Sequence, residues 1–161
     1  RIMLCIPTFL LFHDEEHLTH ECVLRRQEHL AAFKVLCEQL ETLGHDVYCA
    51  LKTYAWRLSD FVPASEAVKR DWAEVQAANH VIACPVVDGE SSRGVHVEVG
   101  WATALGKPVT LLLHRPRTKH TVLITGLRSQ DKDFTVKNVY YEHAPQDACD
   151  TVLKQFAGET Q

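Results

Sequence analysis

The chain has 161 residues, 46% of them apolar and 24% charged, with a formal net charge of −4. That length suits one domain, residues 1–161, around a single core, and the acidic balance argues against nucleic acid as a main partner. No apolar run is long enough to cross a bilayer and no signal peptide is apparent, so a membrane partner is not expected either.

The first strand is read at Ile2-Met3-Leu4-Cys5-Ile6, a compact apolar run ended by Pro7. Residues 8 to 20 are irregular and read as a loop over the end of that strand. From about Thr19 to Leu43 the pattern turns helical. Leu30, Phe33, Leu36, Cys37, Leu40 and Leu43 recur at the three-and-four spacing of one buried face, and Gly44 stops the helix. Asp46 to Leu51 reads as strand two. A loop with Tyr54, Trp56 and Arg57 follows, and Pro63 and Ser65 announce a helix along which Val68, Trp72, Val75 and Asn79 line one side.

Val81 to Val87 reads as strand three and Val109 to Leu113 as strand four, both short and mostly apolar. Between them a polar turn opens a helix that Gly106-Lys107-Pro108 stops. Basic residues at Arg115, Arg117, Lys119 and His120 read as a solvated loop. Thr121 to Leu127 fits either helix or loop, Thr135 to Tyr141 is strand five, and Gln146 to Phe156 is the last helix. Such alternation predicts an α/β, Rossmann-like three-layer sandwich with a mostly parallel five-stranded sheet. Ligands of such sheets bind at the carboxyl ends of the strands.

The six cysteines (Cys5, Cys22, Cys37, Cys49, Cys84, Cys149) are scattered without metal-ligand spacing, which points to free thiols in a reducing, cytoplasmic setting. His13, His17 and His20 stand near Asp14, Glu15 and Glu16 but match no recognised metal arrangement, so no metal is expected.

Chemistry concentrates in the turn and helix before strand four. Ser92 and Gly94 offer a hydroxyl and close backbone N–H groups at a helix start, an arrangement suited to an anion. A plain helix N-cap fits the same residues. Glu98 follows in the first turns of that helix among Val95, Val97, Val99 and Trp101. An acid there also suits the helix dipole, but no Ser or Thr at position 95 completes a capping box. Beside a sugar's anomeric carbon, one carboxylate acts as nucleophile or stabilises an oxocarbenium-like transition state. Asp71, placed mid-helix where propensity disfavours it, is the best second acid, with an exposed helical ion pair as the alternative. Phe9, Tyr54 and Trp56 are candidates to stack on a base, or to pack in the core.

The stretch from Asp71 to Pro108, with Asp71-Trp72, Ala77-Ala78-Asn79-His80-Val81-Ile82-Ala83 and Gly94-Val95-His96-Val97-Glu98-Val99-Gly100-Trp101-Ala102, resembles the nucleoside 2-deoxyribosyltransferase superfamily. Within it the likeness is greatest to the CMP and hydroxymethyl-CMP N-glycosidases of blasticidin- and mildiomycin-type pathways. Those enzymes carry a Thr-Gly-Leu-x-Ser-Gln stretch that here reads Thr125-Gly126-Leu127-Arg128-Ser129-Gln130. The resemblance implies a Rossmann-like, dimeric enzyme that cleaves the N-glycosidic bond of a nucleoside 5′-monophosphate without metal or redox cofactor. It implies Glu98 as the catalytic glutamate, Asp71 as the sugar-binding, catalytic aspartate, Ser92 and Gly94 as the phosphate loop, and Ser129 as a serine offered by the neighbouring subunit.

After strand one this chain reads Ile6-Pro7-Thr8-Phe9-Leu10, without the family's glycines or its Tyr. An arginine that follows the Phe in hydroxymethyl-CMP-preferring enzymes is also missing, which leans the substrate towards CMP. The alternatives are a nucleoside deoxyribosyltransferase, or a nucleotide-sensing module of the same fold that binds without cleaving. A flavodoxin-like electron carrier ranks last, because no Ser/Thr/Gly-rich turn follows strand one.

Overall fold

The structure, a computed structural model, describes residues 1–11, 18–56, 62–87, 90–115, 124, 127 and 135–158. Strand β1 (Ile2–Cys5) is followed by a 3-10 turn at Thr8–Leu11, which buries Leu10 and Leu11 where the sequence suggested only irregular chain. Helix α1 (His20–Thr42) begins at Thr19, whose hydroxyl oxygen accepts the Cys22 N–H at 3.3 Å. It ends before Gly44, which turns the chain at φ +88°, in the left-handed region that glycine enters without steric cost.

Strand β2 is Val47–Cys49, shorter than the predicted Asp46 to Leu51. Ala50, Leu51 and Lys52 are good helix formers, and they open the short helix α2 (Ala50–Thr53) instead. Helix α3 (Ala64–Ala77) leads into β3 (His80–Ala83). The predicted strand from Val81 to Val87 breaks at Cys84-Pro85, since proline has no N–H to give a ladder. Val86 and Val87 form β4 (Val86–Val87), which pairs antiparallel with β5 (Glu90–Ser91) as a small hairpin. Then come α4 (Arg93–Ala104), β6 (Val109–His114), β7 (Val136–Tyr141) and α5 (Pro145–Gly158).

The main sheet has five strands in the order β2-β1-β3-β6-β7, all parallel. Its pleat sorts the core in two. Ile2 and Leu4 face a layer with Phe33, Leu36 and Leu40 of α1 and Val152 and Phe156 of α5. Met3 and Cys5 face the opposite layer, with Val75 of α3 and Val95, Val99 and Ala102 of α4. This is the α/β three-layer sandwich of the sequence reading.

One helical face departs from expectation. On α3, Val75 is buried, yet Val68 is 54% and Trp72 36% exposed, and Asn79 lies beyond the helix on the surface. The apolar spacing is genuine, but among the described residues no layer covers the outer part of the stripe.

Candidate active site

In the strand order β2-β1-β3-β6 the chain leaves β1 towards one edge of the sheet and β3 towards the other, and the crevice opens at the carboxyl ends of these two strands. A cavity of about 130 Å³ occupies that place. Cys5, Ile6 and Thr8 line it from the end of β1, Ala50 from the end of β2, Asp71 from α3, and Ser92, Gly94, Val95 and Glu98 from α4.

Ser92 is the N-cap of α4. Its hydroxyl oxygen accepts the Val95 N–H at 3.4 Å, and its own N–H donates to the Pro85 carbonyl at 2.9 Å. The hydroxyl proton stays free to be given to a ligand. Arg93 and Gly94 stand in the first turn, where helical N–H groups have no intrahelical acceptor. A Cβ built on Gly94 meets no atom within 4 Å, so the glycine is not demanded by packing. The N-cap and anion-cradle readings are therefore compatible: one oxygen caps the helix while the turn presents donors to the cavity.

Glu98 lies one turn further along and is half-buried. Burial, then the negative charge of Asp71, pushes its carboxyl up to about 7, opposed by a hydrogen bond that the Cys5 thiol donates to it. Cys5 in turn is held well above the usual thiol range by burial and by Glu98. A thiol so placed remains a proton donor and not a nucleophile.

Asp71 is held from two sides. The Tyr48 hydroxyl donates to its Oδ1 at 2.7 Å, and the Arg70 Nε donates to the same oxygen at 3.4 Å. Arg70 is itself anchored, with Nη2 donating to the Tyr54 hydroxyl at 2.6 Å and the guanidinium 4.8 Å from the Tyr54 ring centre. Both donors converge on Oδ1, which leaves Oδ2 for a ligand. Burial and the Asp71 carboxylate push the Tyr48 phenol up, so it remains a donor.

A family model for nucleoside 2-deoxyribosyltransferases matches residues 22–139. The chain belongs to that family. The match begins after β1, so the segment Ile6-Pro7-Thr8-Phe9-Leu10, where the family glycines are absent, lies outside it. Among solved structures, the CMP N-glycosidase BcmB of Clostridium botulinum is similar at 23% identity and TM-score 0.64, covering 94% of this chain and 97% of that one. A conserved protein from Enterococcus faecalis V583 is similar at 17% identity and TM-score 0.57, with 98% and 97% covered. Both share the fold of this nucleoside 2-deoxyribosyltransferase family member. None of the curated proteins matches the sequence.

Of the residues singled out in the sequence, Asp71, Ser92, Gly94 and Glu98 meet in one cavity. Phe9 and Trp56 do not line it. Both pack against the core layer beneath α1, Phe9 under the Arg26 guanidinium and Trp56 under the Lys34 ammonium. Ser129, His13 and His17 lie outside the described residues. Among the described residues no group of three or more His, Cys, Asp or Glu side chains is arranged to hold a metal, and all six cysteines are free thiols. No helix among them is long and apolar enough to cross a membrane.

Neither Cys5, the last residue of β1, nor Tyr48, the middle residue of β2, carries a local sequence signal of a site. The alternation in Ile2-Met3-Leu4-Cys5 places Cys5 on the same face as Met3, and that face carries α3 and α4. Tyr48 is the one polar-tipped side chain of β2.

Proposed function

We propose that this protein hydrolyses the N-glycosidic bond of a nucleoside 5′-monophosphate, CMP foremost, giving free base and ribose 5-phosphate or its deoxy counterpart. The observation that carries this reading is the placing of Glu98, with Asp71 beside it, in one cavity with the start of α4. The phosphate would take the Ser92 hydroxyl and the first-turn N–H groups. The sugar would then lie across Asp71, whose Oδ2 accepts a ribose hydroxyl. Ionised Glu98 would face the anomeric carbon, bonding to it or stabilising its positive charge as the C–N bond breaks. The base departs with the bonding electrons and gains a proton. Water supplies the hydroxyl that ends on the anomeric carbon, so nucleotide and water become base and sugar phosphate. The likeness to a CMP N-glycosidase supports the choice of CMP.

Family membership itself favours a second reading, transfer of the sugar to another base. A base-release assay over nucleoside 5′-monophosphates and the matching nucleosides separates the two. Release from one monophosphate but not its nucleoside supports hydrolysis at a phosphate-reading site. Release from nucleosides only, and only with an acceptor base, establishes the transferase. Tight nucleotide binding with no release on long incubation favours a sensor.

The same reading includes a homodimer. Val68 and Trp72 on α3, Val97 on α4 and Leu105 just after it are exposed, and Trp72 meets Trp101 edge-on at 5.3 Å between ring centres. Exposed apolar side chains on the two helices that bear Asp71 and Glu98 are suited to a second copy. Such a copy could bring its Ser129 to the phosphate. Light scattering after gel filtration tests this, and a monomer at working concentration would remove it.

A further inference from the structure

Arg26 of α1 is 4% exposed, a burial that arginine tolerates only when paired. Its Nη2 donates to Glu90 Oε2 at 2.7 Å, its Nη1 donates to the Phe9 carbonyl at 3.2 Å, and the guanidinium lies 5.2 Å from the Phe9 ring centre. These partners do not line the cavity themselves, but each adjoins a segment that does. Phe9 adjoins Thr8 after β1, and Glu90 stands two residues before Ser92. The hairpin that carries Glu90 rests on two residue pairs, Val86 with Ser91 and Val87 with Glu90, and its outer strand is exposed. So short a ladder is weak by itself, and the turn that follows it inherits that weakness unless something fixes it.

We propose that Arg26 is a positioning residue for nucleotide binding: through Glu90 it straps the hairpin leading into Ser92 and Gly94 to the loop after β1, and so holds the phosphate-binding turn in place. The inference rests on the reading of Ser92 and Gly94 given above. Arg26 reaches the two segments that adjoin the cavity from the α1 layer, opposite the layer that supplies Glu98 and Asp71. Its effect is therefore on where the phosphate sits and not on the bond being broken. Glutamine at position 90 keeps an acceptor for the guanidinium, whereas alanine removes the strap from its exposed end.

The test is titration calorimetry with ribose 5-phosphate on the wild type, Glu90→Ala and Glu90→Gln, alongside CMP turnover. Glu90 has its side chain 47% exposed, so both variants are expected to fold, and circular dichroism verifies it. Glu90→Ala should weaken ribose 5-phosphate binding roughly tenfold and raise KM for CMP in step, with kcat within about twofold, while Glu90→Gln stays near the wild type. Equal binding by all three proteins overturns the strap, as does an equal loss in both variants or a loss confined to kcat. Failure of the wild type to bind ribose 5-phosphate overturns the phosphate cradle itself, and this inference with it. Binding without CMP turnover removes the glycosidase reading alone, and the affinity series still decides the strap.

Discussion

The Cys5 thiol, at the last position of β1, donates a hydrogen bond to the carboxylate of Glu98, an α4 residue brought over it by the α/β crossover. That contact favours the ionised carboxylate, against burial and the Asp71 charge, which favour the acid. Because the proposed reaction requires the ionised form, kcat/KM is expected to rise with pH through a limb centred near 7. Replacing the thiol tests the assignment. Cys5→Ala removes a donor and should move the limb up by about half a pH unit, while Cys5→Ser supplies a stronger donor and should move it down. A limb unmoved in both variants would mean that Glu98 is not the group that titrates.

Glu98→Gln should abolish base release, by roughly 10³-fold or more, while leaving nucleotide binding largely intact. Its stability should change in the opposite sense. In the fold the carboxyl is raised from 4.5 to about 7, so ionisation is less favourable there than in the unfolded chain. The wild type loses stability between those two values as pH rises and then levels off, on the order of 1–3 kcal/mol in all. Glutamine carries no such penalty. Thermal unfolding at pH 8 and pH 4.5 should therefore show the variant gaining on the wild type at the higher pH only, and a constant difference would contradict the burial of this acid.

Tyr48→Phe removes one of the two donors on Asp71 Oδ1 and keeps the ring. Loss of a hydrogen bond to a charged acceptor is worth ~1–3 kcal/mol, so kcat/KM should fall roughly tenfold or more, less than in Asp71→Asn. Steady-state kinetics on both variants decides it. A Tyr48→Phe enzyme with full activity would show that Arg70 alone orients the acid.

Gly94→Ala separates folding from binding. Nothing lies within 4 Å of the added Cβ, and alanine is the better helix former by about 1 kcal/mol, so the unfolding midpoint should hold or rise. The same methyl group intrudes where the phosphate is read to approach the backbone, so KM for CMP should rise by about tenfold or more. If affinity is unchanged, the phosphate does not approach the first turn.

Much of this site was legible because local signals agreed. Ser92 as an N-cap, Gly94 and Glu98 following it, and a short apolar run on either side place three residues at a strand's carboxyl end with no tertiary information. Asp71 was legible as an acid where a helix disfavours one. The partners of Asp71 and Glu98 were not. Tyr48 and Cys5 come from strands far away in sequence, and register alone brings them under α3 and α4. Phe9 and Trp56 are suited to stack on a nucleobase, with core packing the stronger reading of each singly, and the structure packs both against the core beneath α1. The strand from Val81 to Val87 was overread because β-branched composition outweighed one proline.

With its carboxyl near 7, Glu98 is divided between two protonation states in the empty protein at neutral pH. On the proposed function, a nucleotide brings a doubly negative phosphate into the same cavity, which favours the protonated state. Binding therefore draws a fraction of a proton from solution, and the heat it releases depends on the buffer that supplies it. The protein must return that proton before the carboxylate can act, so association and bond cleavage favour opposite sides of neutrality. The most productive pH is then a compromise between holding the nucleotide and breaking it.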